Sequence, residues 1–338
     1  MRFGPVPLQA ALGAVLAHGT KTVSGRIAKG TILDAAAIEA LAAAGHQQIT
    51  VARLDPGDVL EDAAALQIAQ SILHHALELQ IAGTGRVNLF ARETGLFLCD
   101  RAGVAGLNHI DPAMTLATLP NHTRTQAGDM VATVKIIPFA VPQGVIDLAL
   151  QAAQSASGAL IAHHPFRPLR CVVLQTDLPT LKPSVAKKTV QHTQDRIAAL
   201  GGHCRDRGRV AHEVAALRAA LLAAAEDDLV MVFGASAICD AQDVIPAAIR
   251  AAGGVVERVG MPVDPGNLLV LGQIGSTYVV GAPGCARSPK ENGFDWVLAR
   301  LFAGLPPSSA EIAEMGVGGL LTEIPTRPRP RAKRDSTR

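Results

Sequence analysis

The chain has little aromatic character: 3% of 338 residues, with one Trp and one Tyr. Stacking platforms for single-stranded nucleic acid are thereby excluded, and the cores must be packed from Ala, Val, Leu and Ile. Charge is also sparse, at 18% against 49% hydrophobic residues, which excludes a disordered or coiled-coil chain. The five cysteines (99, 171, 204, 239 and 285) are odd in number and include no CxxC pair, so they read as small hydrophobes in a reducing compartment. Apolar runs are short. Met1 to Ala10 is no signal peptide and Val214 to Ala225 is cut by Arg218, so the expectation is a cytoplasmic protein without a membrane partner. Nucleotide loops are missing too. Gly83-Thr84-Gly85-Arg86-Val87-Asn88 lacks the last glycine of the dinucleotide fingerprint, and no GxxxxGK[ST] occurs. Ser236 lies in no GxSxG turn, which argues against a hydrolase. The pairs His74-His75 and His163-His164 lack spaced acid or Cys partners and read as ordinary structural or surface histidines.

The formal charge is +2, but residues 325–338 alone hold six Lys/Arg against Asp335, so the body is mildly acidic. That body offers no broad phosphate-neutralising surface, and nucleic acid is excluded as the main ligand. The Pro/Arg-alternating tail forms neither helix nor sheet by this reading.

What is present is organised in stretches. Residues 1–80 read as an α/β region, with a helical stripe over Leu8 to Leu16, a helix opening at Asp34 and closing at Gly45, and an apolar helix over Asp62 to Leu79. Residues 81–145 are strand-rich, with β-prone stretches such as Val87 to Phe90 and Met130 to Val141 separated by Gly, Asn, Asp and Pro. From 165 to 305 buried strands alternate with helices: Cys171 to Leu174 and Leu229 to Phe233 are continuous apolar runs, as expected of parallel strands covered on both faces. Residues 306–338 form an extension ending in the basic tail. The fold class expected is α/β, a doubly wound, mostly parallel sheet preceded by a mixed α/β and strand-rich N-terminal region.

In such a sheet ligands sit outside the carboxyl ends of the strands, so four loops are the candidates. The first is Thr176-Asp177-Leu178-Pro179, where Asp177 either meets a donor edge or a metal, or caps its own turn. The second is Gly234-Ala235-Ser236-Ala237-Ile238-Cys239-Asp240-Ala241-Gln242-Asp243. Its glycine admits a close ligand and its two acids suit a heterocycle presenting N–H donors; equally, Asp243 is a normal helix cap and Asp240 a solvated turn residue. The third is Asp264-Pro265-Gly266-Asn267. The fourth, Gly281-Ala282-Pro283-Gly284-Cys285-Ala286-Arg287-Ser288-Pro289-Lys290, sets two bases and a hydroxyl beside turn amides, a combination suited to a terminal phosphate.

These loops carry a resemblance. Residues from about Arg170 to Phe302 resemble the molybdopterin-binding domain of molybdenum-cofactor biosynthesis proteins, above all the molybdopterin molybdenumtransferases. Asp177 matches the acid after the family's first strand, Gly234-Ala235 to Asp240 its Gly-Gly loop and following acid, Asp264-Pro265-Gly266 its Pro-Gly loop, and Gly281-Ala282-Pro283-Gly284 its late Gly-x-Pro-Gly turn. Ala14 to His18, Lys29 to Leu33 and Gly45 to Ala52 resemble the stretch ahead of that domain. The fourth loop is similar to the variant fused to a molybdenum-cofactor nucleotidyltransferase. The chain departs from the transferases in three places. Asp264-Pro265-Gly266-Asn267 stands where they carry Lys-Pro-Gly-Lys, Ala235 replaces a glycine, and Thr176-Asp177-Leu178 replaces Gly-Asp-Glu.

The resemblance implies a ligand, molybdopterin or the finished molybdenum cofactor. Its contacts would be Thr176, Gly234, Ala235, Ser236, Ala237, Asp240, Asp243, Pro265, Gly266, Pro283, Gly284, Arg287, Ser288 and Lys290. For an enzyme it implies metal insertion into the dithiolene with Mg2+, Asp177 and Asp228 being the catalytic acids. The alternative is a non-catalytic carrier delivering the cofactor to a nucleotidyltransferase or a molybdoenzyme. A sugar or nucleotide enzyme on the same fold is a third reading, and a homo-oligomer is the expected assembly.

Overall fold

The computed structural model describes residues 1–155, 158–177 and 183–321; Leu178, Pro179 and the basic tail lie outside them. The chain divides into two compact units, Met1–Pro165 and Phe166–Arg338.

The N-terminal unit is a set of small antiparallel sheets. Arg2–Pro7, Gln48–Arg53 and Val15–Leu16 form one, over a core of Leu8, Leu16, Leu33, Leu41 and Val51. Helix Ala35–Ala43 packs there, and its first turn is capped by Asp34, whose Oδ1 accepts from Ala37 N at 2.8 Å. A four-stranded sheet orders Met114–Thr118, Met130–Ile136, Arg86–Ala91 and Leu77–Gly83, and its core includes Val87, Leu89, Val134 and Ile136. Thr123–Thr125, Gly95–Cys99 and Ile161–Pro165 make a third.

Local expectations are corrected here in three places. The Leu8 to Leu16 stripe is a 3-10 turn, Leu8–Ala11, followed by strand Val15–Leu16, not a helix. The Asp62 to Leu79 helix is Glu61–Ser71; it stops where the Ser71 hydroxyl donates back to Ile68 O, and Leu77–Gly83 is a strand. A helix, Arg101–Ile110, interrupts the strand-rich region. Two glycines disguised it. Gly103 packs closely, since a Cβ there would lie 2.3 Å from Leu160 Cδ2 and would displace that side chain.

The C-terminal unit carries the candidate loops. Its elements are β1 (Arg170–Asp177), α1 (Pro183–Ala199), β2 (His203–Ala211), α2 (Val214–Ala223), β3 (Leu229–Phe233), α3 (Val244–Ala251), β4 (Val255–Val259), β5 (Val270–Ile274), β6 (Thr277–Ala282), α4 (Gly293–Phe302) and α5 (Ser309–Glu314). One six-stranded sheet has the order β2-β1-β3-β6-β5-β4. The first four strands pair in parallel, while β5 runs antiparallel to β6 and to β4. Side chains alternate between two covered faces. Cys171, Val173, Met231 and Phe233 meet α1, α4 and α5, whereas Val172, Leu174, Val230 and Val232 meet α2 and α3.

The chain is therefore mixed α/β. The expected doubly wound, mostly parallel sheet is met only in this coarser form, because most strand pairings across the chain are antiparallel. The reversal at β5 has a consequence for the site. It turns the β4–β5 connection back at the same sheet end where β1, β3 and β6 terminate.

Candidate functional site at the strand ends

Three of the four candidate loops meet around a cavity of about 710 Å³. The second loop supplies Gly234, Ala235, Ser236, Ala237 and Ile238, the third Asp264, Gly266, Asn267 and Leu268, and the last strand and fourth loop Ala282, Pro283, Gly284, Cys285 and Arg287. The lining is mixed: one carboxylate, one guanidinium, an amide, a hydroxyl and a thiol among small apolar walls.

Two glycines let the loops turn so closely. A Cβ on Gly234 would stand 2.8 Å from Ser236 O. Gly266 has φ +139°, and a Cβ there would meet Gly293 N at 2.7 Å. The third loop is thus pressed onto the start of α4, where Gly293 N donates to Pro265 O at 2.9 Å.

Arg287 braces the wall. Its Nη1 donates to Gln175 Oε1 (3.2 Å) and Thr189 Oγ1 (2.9 Å), its Nη2 to Gly234 O (2.8 Å), and its guanidinium lies 5.4 Å from the Phe233 ring centroid. Burial holds its pKa below the ordinary arginine value. Both terminal nitrogens are committed to protein acceptors, so its first role is to tie the second loop to the fourth.

Arg196 of α1 fixes the fourth loop from behind. Its Nε donates to Asp295 Oδ1 at 2.8 Å, Nη1 to Ala286 O at 2.7 Å, and Nη2 to Ser288 O and, at 3.0 Å, to Lys290 O. Asp295 in turn closes a capping box with Asn292 at the start of α4. Sequence reading missed Arg196. Thr189, Thr193 and Arg196 recur at helical spacing, but only the structure shows that the face they share is buried.

The expected site residues divide evenly. Gly234, Ala235, Ser236, Ala237, Gly266, Pro283, Gly284 and Arg287 line the cavity. Thr176, Asp177, Asp228, Asp240, Asp243, Pro265, Ser288 and Lys290 do not. Asp243 caps α3, its Oδ1 accepting from Val244 N at 2.7 Å and its Oδ2 from Cys239 N at 3.2 Å. Asp240 accepts from Gln242 N at 2.7 Å in an exposed turn. Asp243 thus has the contacts of a helix cap and Asp240 those of a solvated turn residue. Ser288 accepts from Lys290 N at 3.4 Å, and the Lys290 side chain is exposed.

The two acids named as catalytic are not brought together. Asp177 ends β1 at the cavity end of the sheet; its Oδ2 pairs with Arg209 Nη1 at 3.0 Å, and its buried Oδ1 has no partner among the described residues. Asp228 precedes β3 at the opposite end. It accepts from Arg170 N at 2.7 Å and pairs with the Arg170 guanidinium at 3.2 Å, and that hydrogen bonding holds its pKa below the usual carboxylate range. The pair does not assemble a Mg2+ site, and no group of three or more acid, His or Cys side chains among the described residues is arranged to hold a metal.

Thr176 reaches the rim indirectly. Fully buried, its Oγ1 accepts from Ala235 N at 2.8 Å and lies 2.8 Å from His212 Nδ1, while His212 Nε2 lies 3.0 Å from Ser236 Oγ. His212 was not among the expected residues. It follows β2, and the parallel register pairing Asp177 with Ala211 delivers it to this end.

None of the five cysteines is in a disulfide, and Cys239 is exposed rather than a buried hydrophobe. Among the described residues no helix is long and apolar enough to cross a membrane.

A family model described as a domain of unknown function, DUF8806, matches residues 5–53. No curated protein matches the sequence. Among solved structures, the chain is similar to a molybdopterin biosynthesis MoeA protein from Pyrococcus horikosii at 13% identity and a TM-score of 0.32, over 93% of this chain and 77% of that one. A second MoeA structure, from Pyrococcus horikoshii OT3, gives 9% identity and a TM-score of 0.28, over 92% and 76%. So distant a likeness assigns neither fold nor activity.

Proposed function

We propose that the C-terminal unit binds molybdopterin or the molybdenum cofactor in the strand-end cavity. The observation carrying this reading is the meeting of three sequence-distant loops, each matching a motif of the molybdopterin-binding domain, around one cavity of about 710 Å³. A tricyclic ligand with a single phosphate is of the size such a cavity takes.

Carriage is favoured over metal insertion. Asp264 and Asn267 stand at the wall where the resembled transferases carry two lysines, and Asp228 lies at the far end of the sheet. Handling of molybdate, the substrate of insertion, calls for cations that this wall does not supply. Delivery to a nucleotidyltransferase or a molybdoenzyme is the step that fits a carrier, in a cytoplasmic setting, and a homo-oligomer belongs to the same reading.

The test is purification from a pterin-producing host, followed by oxidation and fluorescence detection of the released pterin. Roughly stoichiometric release is expected for a carrier. Folded protein without pterin, from a host whose known pterin binders are loaded, refutes the reading. Incubation with adenylated pterin and molybdate separates the two activities, a carrier leaving the nucleotide uncleaved.

A further inference from the structure

We propose that Thr176, His212 and Ser236 form one directed hydrogen-bond chain that commits the Ser236 hydroxyl proton to the cavity, so that Ser236 selects a hydrogen-bond acceptor on the ligand. The proposal rests on the cavity being a ligand site, and its core claim is tested without any ligand.

The directions of the bonds follow from one fixed point. A backbone N–H only donates, so Ala235 N, at 2.8 Å, makes Thr176 Oγ1 an acceptor. The Thr176 side chain is fully buried, and its own proton needs an acceptor. Among the described residues its other hydrogen-bond partner is His212 Nδ1, at 2.8 Å. The Thr176 hydroxyl therefore donates to Nδ1, which leaves the imidazole proton on Nε2. Nε2–H then donates to Ser236 Oγ at 3.0 Å. One lone pair of Ser236 is used, and its proton has no other partner among the described residues.

Ser236 lines the cavity, so that proton is available to a ligand. Each link also polarises the next, which strengthens the terminal donor. The opposite tautomer would have a different chemistry. With the proton on Nδ1, the Ser236 proton would be spent on Nε2, and the site would offer lone pairs alone. His212 is thus a positioning residue, and through it the buried Thr176 decides what Ser236 presents. The ligand atom it fits is a hydrogen-bond acceptor, found on a pterin ring and on a phosphate alike.

The full chain labelled with 15N-histidine provides the primary test. His212 is assigned by difference against His212→Gln, and the spectrum is taken in buffer alkaline enough to keep imidazole neutral. The expected result is a pyrrole-type Nε2 and a pyridine-type Nδ1. The reversed pattern overturns the proposal. Thr176→Ser keeps the hydroxyl and must keep the pattern, whereas loss of the pattern in a folded Thr176→Ser protein also overturns it.

Calorimetry with 6-hydroxymethylpterin and with inorganic phosphate identifies the acceptor. Ser236→Ala is expected to weaken one of them by about fivefold to tenfold. An effect on the pterin assigns an acceptor atom of the ring system, and an effect on phosphate assigns a phosphoryl oxygen. His212→Ala should weaken the same probe, and the double variant should be no weaker than Ser236→Ala alone. Binding of both probes unaltered by Ser236→Ala refutes the selecting role. Failure of the wild type to bind either probe refutes the pterin reading and the selecting role with it, while the tautomer stands or falls on the spectrum.

Discussion

In the N-terminal unit Leu77–Gly83 and Arg86–Ala91 pair antiparallel across a tight turn in which Gly83, Thr84 and Gly85 all have positive φ. In the C-terminal unit β1 and β3 pair in parallel, with two helices and the edge strand β2 between them in the chain. The difference determines where loops end up. Antiparallel neighbours place successive turns at alternate ends of a sheet, whereas parallel neighbours send every strand-to-helix loop to one end. The candidate loops between residues 176 and 287 are gathered by that rule, with β5 the reversed strand that brings in the third loop.

Removing the Arg196 clamp should have the largest effect. Arg196→Met leaves the buried Asp295 without its cation and three loop carbonyls without their donor, at a cost of about 3–5 kcal/mol in urea unfolding of the full chain. Ligand affinity should fall with it, and retained stability would show that the loops hold themselves.

Leu89→Ala in the N-terminal unit should cost about 2–4 kcal/mol in the same measurement, since Leu89 is fully buried. Here the ligand affinity of the C-terminal cavity should stay unchanged. A parallel loss of affinity would break the contrast between the units.

A third effect concerns pH and belongs to the N-terminal unit. The two histidine pairs, read from sequence as unremarkable, lie close together: His74 and His75 have ring centroids 4.0 Å apart, and His74 and His164 6.1 Å. Burial, reinforced by the neighbouring imidazoles, pushes His74 down to about 4 and moves His163 and His164 the same way. The folded form therefore prefers neutral rings. Stability conferred above pH 6.5 is lost as pH falls from there towards 4, because the unfolded chain takes up protons first. Urea midpoints should drop across that window, and His74→Asn should flatten the drop; an unchanged slope would refute the assignment.

Smaller still is the cap. Asp243→Ala should cost about 1 kcal/mol, measured by thermal unfolding, with little effect on ligand binding. A large loss of affinity would restore Asp243 as a ligand contact. Lys290→Ala, at an exposed side chain outside the cavity, should leave both properties within error.

Legibility followed the same division. The strands from Cys171 to Leu174 and from Leu229 to Phe233 announced themselves as unbroken apolar runs because both faces are covered. Their loops followed from them, and eight of the named residues line the cavity. His212 and Arg196 were not legible as site residues. Each acts through a neighbour brought close by register or helix packing, and linear spacing does not encode that. Asp240 and Asp243 carry two readings because a turn or capping carboxylate and a ligand-facing one look alike in sequence. In the N-terminal unit, two glycines in Arg101–Ile110 concealed a helix, and one of them, Gly103, packs closely against Leu160.

The Arg196 contacts carry one more implication. Three of its acceptors are main-chain oxygens, of Ala286, Ser288 and Lys290, and every amino acid brings that atom. The grip is blind to the side chains it holds. Its hold therefore survives a change of side chain at Ser288 or Lys290, while Ala286 and Arg287 are kept by their own burial and hydrogen bonds.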